Sequence, residues 1–173
     1  MACVINSTVA LDCKDGIGGV EWIAVASADI DTDNTTIDSS GNVSALALDG
    51  GALFYKINLQ KEKAVFSSAL TGSTENETTF FAQTGTFTIS KQSANKRTFL
   101  KTMAQSRVKC IVKDNNGNYL LYFYTGGTVT ASNATTGTLF GDFNGYDAIT
   151  INSNEKDDVY FVDSSLISAL VQE

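Results

Sequence analysis

The chain has 173 residues, 12 basic and 19 acidic side chains, a formal charge of -7, and neither histidine nor proline. Its length suits one domain over residues 1–173, and with 43% hydrophobic and 18% charged residues it lacks the charge-rich, apolar-poor composition of disordered chains. No apolar run approaches the roughly 20 residues of a membrane-spanning helix, and without imidazole there is no Ser-His-Asp triad, Cys-His pair or ordinary catalytic zinc site.

The opening MACVINSTVALDC has no basic region, and Asn6, Ser7 and Thr8 interrupt its apolar residues, so it does not read as a secretory signal. The Asn-x-Ser/Thr triplets at Asn6, Asn34, Asn42, Asn76 and Asn133 then reflect composition rather than glycosylation. Asp15 to Gly19 (DGIGG) lacks the Lys-Ser/Thr of a phosphate loop and predicts a tight turn. Val20 to Ala26 predicts a strand with Val20, Trp22, Ala24 and Ala26 on one face. Asp29, Asp31 and Asp33 have the spacing that begins a calcium loop, but Asn34 and Ser40 stand where its glycine and bidentate glutamate belong, which predicts a solvated acidic turn. Asp38 to Asn42 is a turn, followed by strands over 43–48 and 53–59.

Residues 60–79 predict a long loop suited to contact between subunits, its polar part TGSTENETT (71–79) exposed. The strand over 80–89 ends with Phe87 and Ile89 inward and Thr86 and Thr88 outward. Ser93 can cap a helix with Phe99, Leu100, Met103 and Ala104 in one stripe and Lys96, Arg97 and Lys101 away from it. Residues 107–112 alternate with Val108, Cys110 and Val112 on one face, Asn115-Asn116-Gly117 signals a hairpin, and 119–124 return. Short strands at 128–130, 146–151 and 159–162 precede a C-terminal helix capped by Ser164 over Leu166, Ile167, Leu170 and Val171. The expected fold is all-β with one central α-helix, two antiparallel sheets packed as a sandwich or partly open barrel. Phe87, Ile89, Phe99, Leu100, Met103, Val108, Cys110 and Val112 are expected to join helix and sheet in its core.

Charge falls in three blocks: net -7 over residues 1–55, +7 over 56–113 and -7 over 114–173. Complementary faces of this kind suit subunits packed side by side, whereas net acidity argues against tight gripping of nucleic-acid phosphate. Cys3, Cys13 and Cys110 form no C-x-x-C pair and are expected to be reduced, buried thiols. Asp142, Asp147 and Glu155 lie on or near one hairpin, where paired carboxylates can do acid–base work, and their spacing does not select that role over surface charge. The residues therefore indicate no catalytic, metal-binding or cofactor-binding site, and no enzyme.

Three segments together carry a resemblance. Asp12 to Ile23 (DCKDGIGGVEWI), the FFAQTGTFTI strand with Lys96 to Leu121 (KRTFLKTMAQSRVKCIVKDNNGNYLL), and Thr136 to Glu155 with its turn at Gly141, Asp142, Asn144, Gly145 and Tyr146 resemble the tail-tube-like virion proteins of phages that infect Bacteroidetes-type hosts. The resemblance implies two packed antiparallel sheets with a flanking helix. It also implies a homo-oligomeric ring, commonly of six subunits and alternatively twelve, whose inner strands join into one barrel around a channel for DNA ejection. Neighbouring tail, portal or connector proteins would be partners, with no membrane, and the site of action would be the virion after synthesis in the host cytoplasm. An acidic channel lining, drawn from the net charge, would keep DNA sliding. The tube of a contractile injection or gene-transfer particle is the alternative with the same architecture. A monomeric β-sandwich binding module for carbohydrate or protein would instead need exposed aromatic platforms, for which Trp22, Tyr122 and Tyr124 are the candidates.

Overall fold

The runs WIAVA (22–26) and VKCIV (108–112) offer no polar face beyond one lysine, and strands of that kind are buried on both sides. A computed structural model, which describes Val9, residues 16–73, Glu75 and residues 77–172, places both runs in the middle of a sheet. There β1 (Val20–Ala26) pairs with β7 (Val108–Asp114), and Ile23, Ala24, Cys110 and Ile111 are wholly buried. This first sheet runs β11 (Val171–Gln172), β4 (Phe54–Asn58), β1, β7, β8 (Tyr119–Thr135), β10 (Tyr160–Val162), β3 (Asn42–Ala45), β2 (Thr36–Ile37). It is mixed rather than antiparallel throughout: β10 and β11, returning from the end of the chain, add parallel to β3 and β4.

The second sheet is antiparallel, in the order β5 (Ala64–Ser73), β6 (Thr78–Ser90), β9 (Gly145–Glu155) and the latter half of β8. The predicted strands at 119–124 and 128–130 are thus one strand of 17 residues that belongs to both sheets, and the two sheets do not close into a barrel. The predicted loop over 60–79 is likewise corrected. Residues 64–73 pair with β6 along their whole length, from Ala64 opposite Phe87 to Ser73 opposite Thr78. AVFSSALTGS alternates too weakly to announce itself, because small and hydroxylated residues occupy both faces.

Between the sheets, Val25, Val108, Cys110 and Val112 face Phe87, Ile89, Ile149 and Ile151. Helix α1 (Ala94–Gln105) adds Leu100 and Met103 to this cluster, with Phe99 half-buried beside them, so all eight expected core residues meet there. Ser93 caps α1 by accepting the Lys96 N–H at 3.3 Å. The opposite face of the first sheet forms a second cluster, in which Trp22, Ala24, Ile111 and Leu121 lie under Ile30, Val43, Leu46, Leu48 and Leu170. The segments on either side of β2 and β3, which carry Ile30, Leu46 and Leu48, together with α2 (Ser164–Leu170), therefore cover this face as a third layer. Asp163, not Ser164, caps α2, its carboxylate accepting the Ser165 N–H at 2.8 Å. The β7–β8 hairpin forms where the Asn-Gly signal places it, but only Gly117 takes a positive φ (+88°), so its turn is not the primed type that the signal favours. Its tip is latched to the chain before β1, where Asn116 Oδ1 accepts the Ile17 N–H at 2.8 Å.

Candidate functional site

The geometry of the molecule turns on one corner. Between the pairs Cys110–Tyr122 and Val108–Gly127, a single residue of β7, Lys109, stands opposite residues 123–126 of β8. A bulge of this size bends the strand, and it carries β8 from the first sheet into the second. Phe123 adopts φ +60° there with its side chain fully buried. Gly127 leaves room for this, since a Cβ would lie 2.5 Å from Ile151 Cγ2. The N–H groups that the bulge withdraws from the ladder find side-chain acceptors. Phe123 N–H donates to Gln83 Oε1 at 2.7 Å, and the Thr125 N–H and hydroxyl donate to the Glu155 carboxylate at 3.1 and 3.0 Å. Gln83 and Glu155 are 2% and 3% exposed, so these buried polar groups have a structural task. Lys109, buried in the bulge, is paired with the exposed carboxylate of Asp29, and hydrogen bonding to Lys109 lowers the Asp29 pKa.

The grouped acids do not form a pair. Asp147 and Glu155 stand eight residues apart on β9, about 26 Å at the rise of an extended strand. Asp142 accepts the Thr138 and Leu139 N–H groups within its own turn, which hold its pKa below the ordinary carboxylate value. Asp29, Asp31 and Asp33 are also divided: Asp29 faces Lys109, while Asp31 accepts from the Asp33 and Asn34 backbone and from the Asn34 amide at 2.7 Å. Among the described residues no cluster of His, Cys, Asp and Glu is placed to hold a metal. Cys110 is a free thiol whose pKa burial pushes up, while Cys3 and Cys13 lie outside the described residues. Trp22 and Tyr122 are buried, and Tyr124 stands edge-on to Tyr160 at 5.3 Å, so none of the three offers an open platform.

The feature that does stand out is the outer face of the second sheet. Val65, Ser67 and Ala69 of β5, Thr84 and Thr86 of β6, Thr150 and Asn152 of β9, and Thr128 and Thr130 of β8 turn away from the core. Three strands are tied across this face by side chains: Thr84 Oγ1 donates to Asn152 Oδ1 at 3.0 Å, and Asn152 Nδ2 to Thr130 Oγ1 at 2.9 Å. The strands β5, β6 and β8 contain no charged residue. Of the two carboxylates on β9, Glu155 is turned into the core and Asp147 sits at the end of the sheet beside Thr135. The acidic lining expected from the net charge is therefore absent from this face, which is hydroxyl- and amide-rich instead.

Both margins of this sheet are unpaired among the described residues. β5 pairs with β6 alone, and residues 128–135 of β8 pair with β9 alone. Neither margin carries the charges or prolines that usually guard an open edge, although register shifts after Val129 and Ala131 interrupt the β8 margin. β5 is the straighter edge, with Val65 and Leu70 exposed on it. Sequence reasoning missed this surface, and its signal was the run of strands with no Asp, Glu, Lys or Arg.

No protein-family model, curated protein or solved structure matches the chain. Among the described residues no helix is long and apolar enough to cross a membrane.

Proposed function

We propose that the protein is a structural subunit of a phage tail that assembles side by side into a ring or stacked tube through which DNA passes. The observation that carries this reading is the second sheet, uncharged across its outer face and, among the described residues, unpaired at both margins. An exposed edge without gatekeepers is a template for another strand, and adding β5 of one copy to the β8 margin of the next would satisfy both edges. A unit whose two complementary edges differ makes a head-to-tail contact, which closes into a ring when the rotation permits. The face then turned to the channel offers phosphate no lysine or arginine to grip, so passing DNA would lose no mobility to counterion-releasing contacts. The tube of a contractile injection particle would use the same geometry.

Light scattering and negative-stain microscopy of the purified chain test the reading. Rings or tubes with a central hole are expected. Ala69→Lys, which places a cation on the exposed β5 edge, should abolish them while leaving Tm unchanged. A monodisperse monomer at every concentration and salt, or rings formed equally well by Ala69→Lys, would overturn it.

A further inference from the structure

The connection between β8 and β9, residues 136–144, has more order than a solvent loop needs. Asp142 Oδ2 accepts the Thr138 and Leu139 N–H groups at 2.7 Å each, and the Asp142 N–H returns to the Leu139 carbonyl at 3.1 Å. Gly137 sits at φ +75°, where a Cβ would lie 2.5 Å from the Asp142 Cβ, so the turn closes only around glycine. Its base is fastened to the link before α1, with Gln92 Nε2 donating to the Thr135 carbonyl at 2.9 Å. Yet this braced turn holds Phe140 fully in solvent and Leu139 at 74% exposure. Two large apolar side chains presented by a fixed scaffold form a knob.

A receptor of matching character lies elsewhere on the same molecule. Ile57, Ile89 and Phe99 line a groove of about 420 Å³ between β4, β6 and α1, with Lys96 also on its wall, while the Lys56 ammonium lies over the Trp22 ring on the other face of β4. A cavity of about 150 Å³ admits benzene, so the groove has room for the Phe140 ring and part of Leu139. Lys61, Glu62 and Lys63 in one adjoining turn and Lys91 in the other leave a net positive charge, whereas residues 136–144 contain Asp142 and no base. The charges are complementary.

Strand register places the two features at one end of the second sheet but at opposite margins. Thr135 and Ser90 both stand opposite Gly145, and β5 begins opposite Phe87. The knob therefore follows the β8 margin, while the groove is walled by residues 88–90 of β6, just past the start of β5, some two strand spacings away, about 10 Å. Rotation about a ring axis keeps the same end of every copy uppermost, so a knob on one margin meets a groove on the facing margin of its neighbour.

We infer that Leu139 and Phe140 of one copy seat in the Ile57–Ile89–Phe99 groove of the next, locking adjacent subunits at one rim of the sheet. The inference rests on the side-by-side assembly proposed above. The test uses the full chain with p-benzoylphenylalanine in place of Phe140, irradiated in the assembled fraction and mapped by mass spectrometry. Cross-links to residues 56–63 or 88–99 of a second copy are expected. Phe140→Ser, at a fully exposed position, should keep the parent Tm and lower the assembled fraction at least tenfold. Rings whose cross-links map elsewhere, or Phe140→Ser rings as abundant as the parent's, would overturn the knob and leave the ring standing. A parent chain that stays monomeric throughout would overturn both.

Discussion

Replacing Gln83 with leucine removes the acceptor for the Phe123 N–H while keeping a side chain of similar bulk. That N–H reaches Gln83 Oε1 over 2.7 Å from a residue with no exposed side chain, and the bulge has withdrawn it from the ladder to β7. Both residues lie in the interior, Phe123 at 0% and Gln83 at 2% exposure, so the donor is left buried without that acceptor. A buried donor left unsatisfied costs about 1–3 kcal/mol, and in a domain of this size each 1 kcal/mol lowers Tm by roughly 2–4 °C. Gln83→Leu should accordingly melt about 2–12 °C below the parent by calorimetry. Hydrogen exchange would locate the damage. The Phe123 amide should lose protection by roughly 5- to 150-fold, the same free energy expressed as a ratio, and should lose more than the Thr125 amide, which Glu155 holds. An unchanged Tm together with unchanged protection at Phe123 would refute the argument that Gln83 fastens this corner.

Leu100→Ala and Met103→Ala should each destabilise the fold by about 2–5 kcal/mol, because both side chains are buried between α1 and the sheets; a urea midpoint within error of the parent would remove that residue from the core. Asp31 and Asp38 titrate below the ordinary value of 3.8 because the amides of Asn34 and Asn42, respectively, hold their charged forms. The folded chain then binds fewer protons than the unfolded one as pH approaches 3.8, so stability is full above that value and is lost as pH falls through the lowered folded values. The urea midpoint should be flat from pH 7 to 5 with respect to these groups and fall below about 4, and Asp38→Asn should flatten that fall; an equal acid slope in the variant would discount the Asp38 turn.

Legibility followed contrast between neighbouring side chains. Phe87 and Ile89 alternate with threonines, and the α1 stripe stands out from its lysines, so their places in the core could be read directly. β5 could not, because Ser67, Ser68 and Ala69 favour neither face. The third layer left a trace in the unbroken run Trp22–Ala26, which a one-faced strand would not have. Parallel addition of β10 and β11 depends on where distant segments dock and has no local signature. The same holds for Gln83 and Glu155, whose task is set by a bulge some 30 to 40 residues away in sequence. The candidate surface was readable only as an omission, the missing charge of β5, β6 and β8, and Leu139-Phe140 only as two large apolar residues inside a glycine-rich turn.

The passage of β8 through both sheets has a mechanical consequence. In an ordinary sandwich the two layers touch only through side chains, so a lateral pull on one is resisted by packing that can slip. Here tension applied along the second sheet at residues 128–135 runs through the backbone itself into residues 119–122, which lie between β7 and β10 in the interior of the first sheet. Covalent bonds join the outer, hydroxyl-lined layer to the most deeply buried strands, and sliding the layers apart requires straightening the corner at Phe123.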